Sequence, residues 1–103
     1  DSSAAGAAIS CGVKTYNGGL GIDAEGNEAT SMAYDLKDDG YQIGIISTVP
    51  INHATPGAFY ASSSSRENYY DISKQILKSE FHSGTLLRYP YRSEIISCPS
   101  VVW

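Results

Sequence analysis

Small and apolar residues alternate with serines at the start of the chain. Residues 2–11, SSAAGAAISC, hold four alanines around a single glycine. Alanine is the best helix former, Gly6 costs ~1 kcal/mol, Asp1 suits the N-cap and Gly12 a left-handed stop. The pattern predicts a helix over 2–11 whose small side chains let another element approach closely. A helix this short is marginal alone in water and requires a partner layer. Residues 13–27 carry no apolar period. Asn17-Gly18-Gly19, Gly21 and the polar run 23–27 predict turns, with a short edge strand around 19–22. Ala29, Met32, Ala33 and Leu36 then recur at i, i+3, i+4 and i+7, predicting a helix with one apolar stripe. Asn27 is its expected cap and Gly40 its expected stop.

Residues 41–49, YQIGIISTV, are uncharged and β-branched in the middle. After a helix, such a run predicts an α/β unit with a buried, parallel strand. The loop 50–54 leaves the carboxyl end of that strand. Thr55-Pro56 follows the pattern of an N-cap with proline at the first helical position, and the predicted helix runs through 57–61. The serines at 62–65 read as a loop. A last helix is predicted over 66–77, with Ser64 and Glu67 as a capping box and Tyr69, Ile72 and Ile76 on one face. The character changes after Phe81. Residues 82–103 contain no alanine, the single tryptophan and two of the four prolines, and no period is sustained. The pairs Ile95-Ile96 and Val101-Val102 are strand-like. No internal repeat is present.

With 103 residues, the chain is one small domain or a piece of a larger one. It begins at Asp1 rather than Met and opens without a signal-peptide pattern, so we expect a cut inside a longer protein or a processed terminus. No run of 18 apolar residues exists, which excludes a helical membrane span. A net charge of −4, with seven scattered Lys and Arg, argues against a nucleic-acid partner. Cys11 and Cys98 are too few for a disulfide scaffold or a four-ligand zinc site. A Cys11–Cys98 bridge stays open, and two separate buried thiols are the simpler reading.

Candidate chemistry is sparse. Gly19-x-Gly21-x-x-Ala24 fits a dinucleotide fingerprint on paper, but polar turn residues surround it where a strand and a helix are needed, so it reads as a turn. Neither GxSxG nor SxxK with its partners occurs. Ser2, at a helix start, faces free N–H groups and the positive end of the helix dipole, which favours an anion; plain capping is the bland alternative. Arg66 opens a helix, where a cation is slightly unfavourable unless something holds it, and its guanidinium can fork onto phosphate. His53 and Thr55 lie in the loop after the strand, where α/β proteins bind ligands, and could face one hard metal ion or its waters. The bland alternative leaves Thr55 as a cap and His53 exposed. Asp38-Asp39 and Lys14 read as solvated surface.

The order of these segments carries more than any one of them. Asp1-Ser2-Ser3-Ala4-Ala5, then Gly12-Val13-Lys14-Thr15-Tyr16-Asn17-Gly18 and Gly21-Ile22-Asp23, resembles the nucleophile segment of alkaline phosphatases, D-S-A-A-x-A-T-A followed by T-G-x-K-T-Y-N-G-x-I/L-G-V-D. Ser47-Thr48-Val49, then His53-Ala54-Thr55-Pro56-Gly57-Ala58-Phe59-Tyr60-Ala61, resembles V-T-T followed by H/D-A-T-P-A-A-x-Y-A. Ser65-Arg66-Glu67-Asn68-Tyr69 resembles S-R-x-x-Y. The resemblance covers 1–81, which we take as a partial alkaline phosphatase domain.

That resemblance implies an α/β, three-layer fold with a mostly parallel central sheet, of which this chain is a part. It implies hydrolysis of phosphate monoesters through a phosphoserine, with two zinc ions and one magnesium ion in the intact enzyme. Ser2 matches the nucleophile and a zinc ligand, Arg66 the arginine on two phosphate oxygens, and Asp1 the residue orienting it. Thr55 matches a magnesium ligand. His53 matches a position near that magnesium through water. The family implies a periplasmic, secreted or surface-anchored location and admits a homodimer.

The chain departs from the family pattern at Ser3 and Gly6, substitutions expected to be tolerated. The remaining zinc and magnesium ligands are absent. The stretch 82–103 does not continue the family pattern and reads as a divergent tail, from a frameshift or assembly error, with a natural insertion as the rival. We expect this chain alone to be inactive. The alternative from another class is a non-catalytic α/β module that binds an anion at Asp1-Ser2 or only packs. Residues 41–49 expect neighbours on both sides, so the chain is also expected to be prone to aggregation.

Overall fold

The computed structural model describes residues 1–89 and 92–97. Cys98, with its pairing to Cys11, and the Val101-Val102 pair lie outside the described residues. The elements run α1 (Ser2–Cys11), α2 (Met32–Asp38), β1 (Gly44–Ser47), α3 (Ala54–Gly57), α4 (Tyr69–Ser79), β2 (His82–Tyr89) and β3 (Arg92–Ser97).

Helix α1 forms where its composition predicts it. The Asp1 carboxylate caps it by accepting from the Ala4 N–H at 3.1 Å. Gly12 closes it at φ +70°, donating to the Ala8 carbonyl. Its buried face consists of Ser3, Gly6, Ala7 and Ser10, and that face meets α3. A Cβ on Gly6 would stand 2.8 Å from the Ala58 Cβ, so only hydrogen allows this approach. The Ser10 hydroxyl lies between the helices, within 2.8 Å of the Gly6 carbonyl and 2.7 Å of the Ala58 carbonyl.

Helix α2 is capped four residues later than expected, at Ser31, and starts at Met32. Asn27 is consumed elsewhere, because its N–H and side-chain amide both donate to the Asp23 carboxylate. Ser31 caps instead, accepting from Ala33 N–H. The predicted stripe fails in part: Ala33 is buried, but Met32 and Leu36 are exposed. Tyr34 takes the inward role, its ring 4.8 Å from Phe81 and its hydroxyl donating to the Tyr60 carbonyl.

The edge strand expected at 19–22 is reduced to isolated bridges, Leu20 with Ser63 and Ile22 with Glu28. Positive φ at Gly21 breaks the extended run between them. Strand β1 is shorter than the run 41–49 predicts. It pairs in parallel with β2 (Gly44 with His82 through Ser47 with Thr85), and β2 pairs antiparallel with β3. The expectation of a buried strand is corrected: Ile46 is 55% and Tyr41 64% exposed. Among the described residues no layer covers that face.

Helix α3 begins at Ala54 with His53 in the capping position, so Thr55 lies inside the helix and does not cap it. The carbonyls of His53 and Ala54 accept from Gly57 and Ala58 N–H, which starts the helical ladder ahead of Pro56. Helix α4 starts at Tyr69, three residues after the expected start. The Arg66 N–H is already committed to the Gly18 carbonyl, and Asn68 N–H to Ser65. Serine–backbone bonds occupy this turn, with Ser65 rather than Ser64 accepting from the Glu67 N–H. Ile72 and Ile76 are buried as their spacing predicts, while Tyr69 projects past the core. The core gathers Leu20, Ala33, Ala54, Ala58, Tyr60, Ala61, Ile72, Ile76 and Phe81. It holds α3 and α4 together and so fixes where the segment 62–68 returns toward the start of α1.

Candidate functional site

Three polar side chains converge at the N-terminus of α1. Arg66 arrives from a distant part of the chain, and its Nη1 donates to Ser2 Oγ at 2.7 Å and to Asp1 Oδ1 at 3.1 Å. The guanidinium and carboxylate form an ion pair with side chains about one-third and one-fifth exposed. Ser2 is exposed, at the first position of α1. A cation beside a helix N-terminus is unfavourable on dipole grounds, and the Asp1 carboxylate offsets it. The arrangement combines an accessible hydroxyl, a planar cation and a helix start. All three attract an anion.

The second half of the site is the turn around Gly18, which sequence reasoning reads only as a turn. Gly18 N–H donates to Asp1 Oδ2 at 2.9 Å, and its carbonyl accepts from Arg66 N–H at 2.8 Å. One residue, through its two flanking peptide groups, therefore bridges both ends of the ion pair. Gly18 has φ +92°, a conformation that side-chain-bearing residues rarely adopt, and this was the available signal in Asn17-Gly18-Gly19. Tyr16 adds a bond from its hydroxyl to the Ser64 carbonyl, and Leu20 pairs with Ser63 through both backbone groups. The loop 62–66 is thus pinned along the turn 16–20. Ser3, read from sequence as a tolerated substitution, is fully buried, and its hydroxyl donates to Asp1 Oδ2.

His53 and Thr55 do not touch this trio directly. They sit at the start of α3, one layer away. The link runs through the crossing at Gly6, whose Cβ position lies 3.8 Å from Thr55 Cα. Thr55 is exposed, and the His53 ring is tilted against Tyr69 at 5.9 Å. Among the described residues, no group of three His, Cys, Asp or Glu side chains is positioned to hold a metal ion. Cys11 is half-buried, with its sulfur 3.5 Å from the Ala29 carbonyl.

Charge elsewhere is shaped locally. Hydrogen bonds, first from the Asn27 backbone N–H, then from the Asn27 amide and the N–H groups of Glu25 and Gly26, hold the Asp23 carboxyl below its ordinary range. Burial, and secondarily the Glu28 carboxylate, push the Tyr34 phenol up.

Comparison with known proteins finds relatives by both sequence and structure. The sequence model of the family described as alkaline phosphatase matches residues 1–87. Alkaline phosphatase 4 of Bacillus subtilis (strain 168) is 42% identical over 77 residues, covering 75% of this chain and 17% of the relative. The solved cold-active alkaline phosphatase from a psychrophilic Shewanella superposes with a TM-score of 0.78 at 36% identity, over 81% of this chain and 21% of that one. A mutant TAB5 alkaline phosphatase with magnesium bound in its M3 site superposes with a TM-score of 0.77 at 30% identity, over 79% of this chain and 23% of that one. The chain spans about one-sixth of the length of the curated relative it matches.

Proposed function

Because the chain belongs to the alkaline phosphatase family, we propose that it carries the nucleophile–arginine half of a phosphomonoesterase site. The observation that supports this reading is the 2.7 Å contact between Ser2 Oγ and Arg66 Nη1. In the intact enzyme, Ser2 Oγ forms a bond to phosphorus while the bond to the ester oxygen breaks and the alcohol leaves with a proton. Water then cleaves the phosphoserine and regenerates the hydroxyl. Arg66 holds two oxygens of the phosphoryl group through its forked donors, and the Asp1 carboxylate orients that fork. Serine is a poor nucleophile until its proton is removed. Divalent ions, when bound, supply the charge that favours the alkoxide and offsets the phosphoryl oxygens.

The residues present fit only part of that metal requirement. Thr55, whose hydroxyl caps nothing, and His53 suit the neighbourhood of one hard ion such as magnesium, with water between. For a pair of zinc ions, Ser2 Oγ is a donor, but the described residues offer no cluster of His, Cys, Asp or Glu to complete either ion. No step is therefore assigned to zinc in this chain, and the chain alone is inactive. The remaining ligands belong to the intact enzyme, together with a three-layer fold around a mostly parallel central sheet, which admits a homodimer. We assign the domain to 1–81 and treat 82–103 as a tail outside the site. A periplasmic, secreted or surface-anchored location follows the family; no helix of the described residues is long and apolar enough to cross a membrane.

The test is calorimetric titration of the purified chain with inorganic phosphate, beside an aryl phosphate assay, each with zinc and magnesium and again with chelator. We expect phosphate binding that weakens at least about tenfold in Arg66→Ala, a loss typical of a charge-assisted bond, and no turnover. Turnover abolished by Ser2→Ala would refute the inactivity, and absence of phosphate binding would refute the site. The missing ligand cluster also favours a second reading, a non-catalytic anion-binding module. Phosphate binding that ignores metal and is lost in Ser2→Ala would support it.

A further inference from the structure

The serine run 62–65, which reads from sequence as a plain loop, divides its hydroxyls unevenly. Among the described residues, those of Ser62 and Ser64 meet no protein partner. The Ser63 hydroxyl is saturated. It donates to the Ser65 carbonyl at 2.8 Å, and it accepts from the Ser65 N–H at 3.3 Å and from the Asn68 side-chain amide at 3.0 Å. A hydroxyl has one donor and two acceptor sites, and all are used. These bonds reach Ser65 before Arg66 and Asn68 after it, so one oxygen ties the chain on both sides of the arginine. Asn68 gives up a local role for this. It stands at the N-cap of α4, where asparagine ranks among the preferred residues, yet its side chain caps nothing. Its backbone, at φ −76° and ψ 56°, forms an inverse γ-turn closed by Tyr69 N–H on the Glu67 carbonyl at 2.8 Å. The root of the run is held by other groups. The Gln75 side-chain amide pairs with both backbone groups of Ser62 at 2.9 Å, and Ser63 pairs through its own backbone with the core residue Leu20.

We infer that Ser63 is a positioning residue for Arg66. Its hydroxyl links the chain anchored on the core at Leu20 to the turn that presents the guanidinium to Ser2. The inference rests on the proposed phosphate site and adds the device that presets its arginine. A turn fixed before the anion arrives leaves less loop and side-chain ordering to be lost on binding. The opposite flank of the same turn is held by the Arg66 N–H on the Gly18 carbonyl and by the Tyr16 hydroxyl on the Ser64 carbonyl. Loss of the Ser63 hydroxyl therefore loosens Arg66 without releasing the loop.

The test compares Ser63→Ala with Ser64→Ala in the full chain, in the native background and in Arg66→Ala. Ser64 is the control, being exposed and with a hydroxyl that meets no protein partner among the described residues. Affinity for inorganic phosphate, by calorimetry, should fall about fivefold in Ser63→Ala, the size of ordering one side chain, and under about twofold in Ser64→Ala. In Arg66→Ala, Ser63→Ala should cost under about twofold, because it acts through the arginine. Amide hydrogen exchange is the readout independent of binding. The Arg66 N–H, which is bonded to Gly18 and not to Ser63, should exchange about fivefold faster in Ser63→Ala, while the Leu20 and Ser62 N–H groups keep their rates. Asn68→Ala, at an exposed position, decides the matter should Ser63→Ala fail to fold. It should move both readouts in the same direction, and the double variant should add little. Unchanged Arg66 exchange, acceleration shared equally by Leu20 and Ser62, or an equal affinity loss in both backgrounds would overturn the inference. A native chain that takes no phosphate refutes the anion site, while exchange at the Arg66 N–H still decides the role of Ser63.

Discussion

Replacing Gly6 by alanine puts two effects of similar size in opposition. Helix propensity favours the change, because glycine inside a helix costs ~1 kcal/mol relative to alanine. Packing opposes it. The added methyl would lie 2.8 Å from the Ala58 Cβ, an atom fixed rigidly to backbone. Carbon atoms rest at about 3.5–4.0 Å, so α1 and α3 must separate by roughly 0.7 Å. Over-packing of this kind costs ~1–3 kcal/mol. The displacement also strains the bond from Ser10 to the Ala58 carbonyl, which lies buried between the helices at 2.7 Å. Packing therefore wins, and we expect Gly6→Ala to destabilise the chain by about 1 kcal/mol net, lowering the melting temperature by roughly 4–8 °C. The assay is urea unfolding at low protein concentration, with exposed Ala8→Gly reporting propensity alone. Ala58→Gly removes the opposing methyl, so the double variant should recover most of the loss, with a coupling near 1 kcal/mol. A Gly6→Ala variant more stable than the parent by the full propensity gain would show that the helices part without cost. The close crossing would then not constrain α1, which carries Ser2.

Two pH dependences follow from the shifted groups. The Asp23 carboxyl is lowered from its ordinary 3.8 by the Asn27 N–H and its neighbours, so its contribution is present above that value and lost as pH falls through the lower folded one. Asp23→Ala should flatten the acid limb of the stability profile below about pH 4; an unchanged slope would show the turn 23–27 to be energetically idle. The Tyr34 phenol is raised above 10.0 by burial, so its stabilisation is complete below that value and disappears as pH climbs through the higher folded one. Tyr34→Phe loses the bond to Tyr60, about 1 kcal/mol near neutrality, yet should lose less further stability above about pH 10 than the parent. Parallel alkaline limbs in urea melts would refute this.

Local chemistry made much of this protein legible in its sequence. Four alanines, an aspartate before them and a glycine after them define α1 without outside help, because propensity and capping act within a few residues. The order Asp1-Ser2, Lys14-Thr15-Tyr16-Asn17-Gly18, His53-Ala54-Thr55-Pro56, Ser65-Arg66 was sufficient for the family, since motif order survives without knowledge of contacts. Where another bond competes for the same group, near or far in sequence, local rules failed. Asn27 could cap a helix, but Asp23 claims its donors. Residues 66–68 could be helical, but Gly18 takes the Arg66 N–H. Met32 and Leu36 fit a stripe, but Phe81 and Tyr60 select Tyr34 instead. The site divides the same way. The sequence named Asp1, Ser2 and Arg66 as candidates. Only the tertiary structure, through one glycine whose N–H and carbonyl bond to Asp1 and Arg66, joined residues 65 positions apart. The occupancy of each carboxylate oxygen was likewise a tertiary matter, because it depends on which donors the folded chain brings within hydrogen-bonding distance of it.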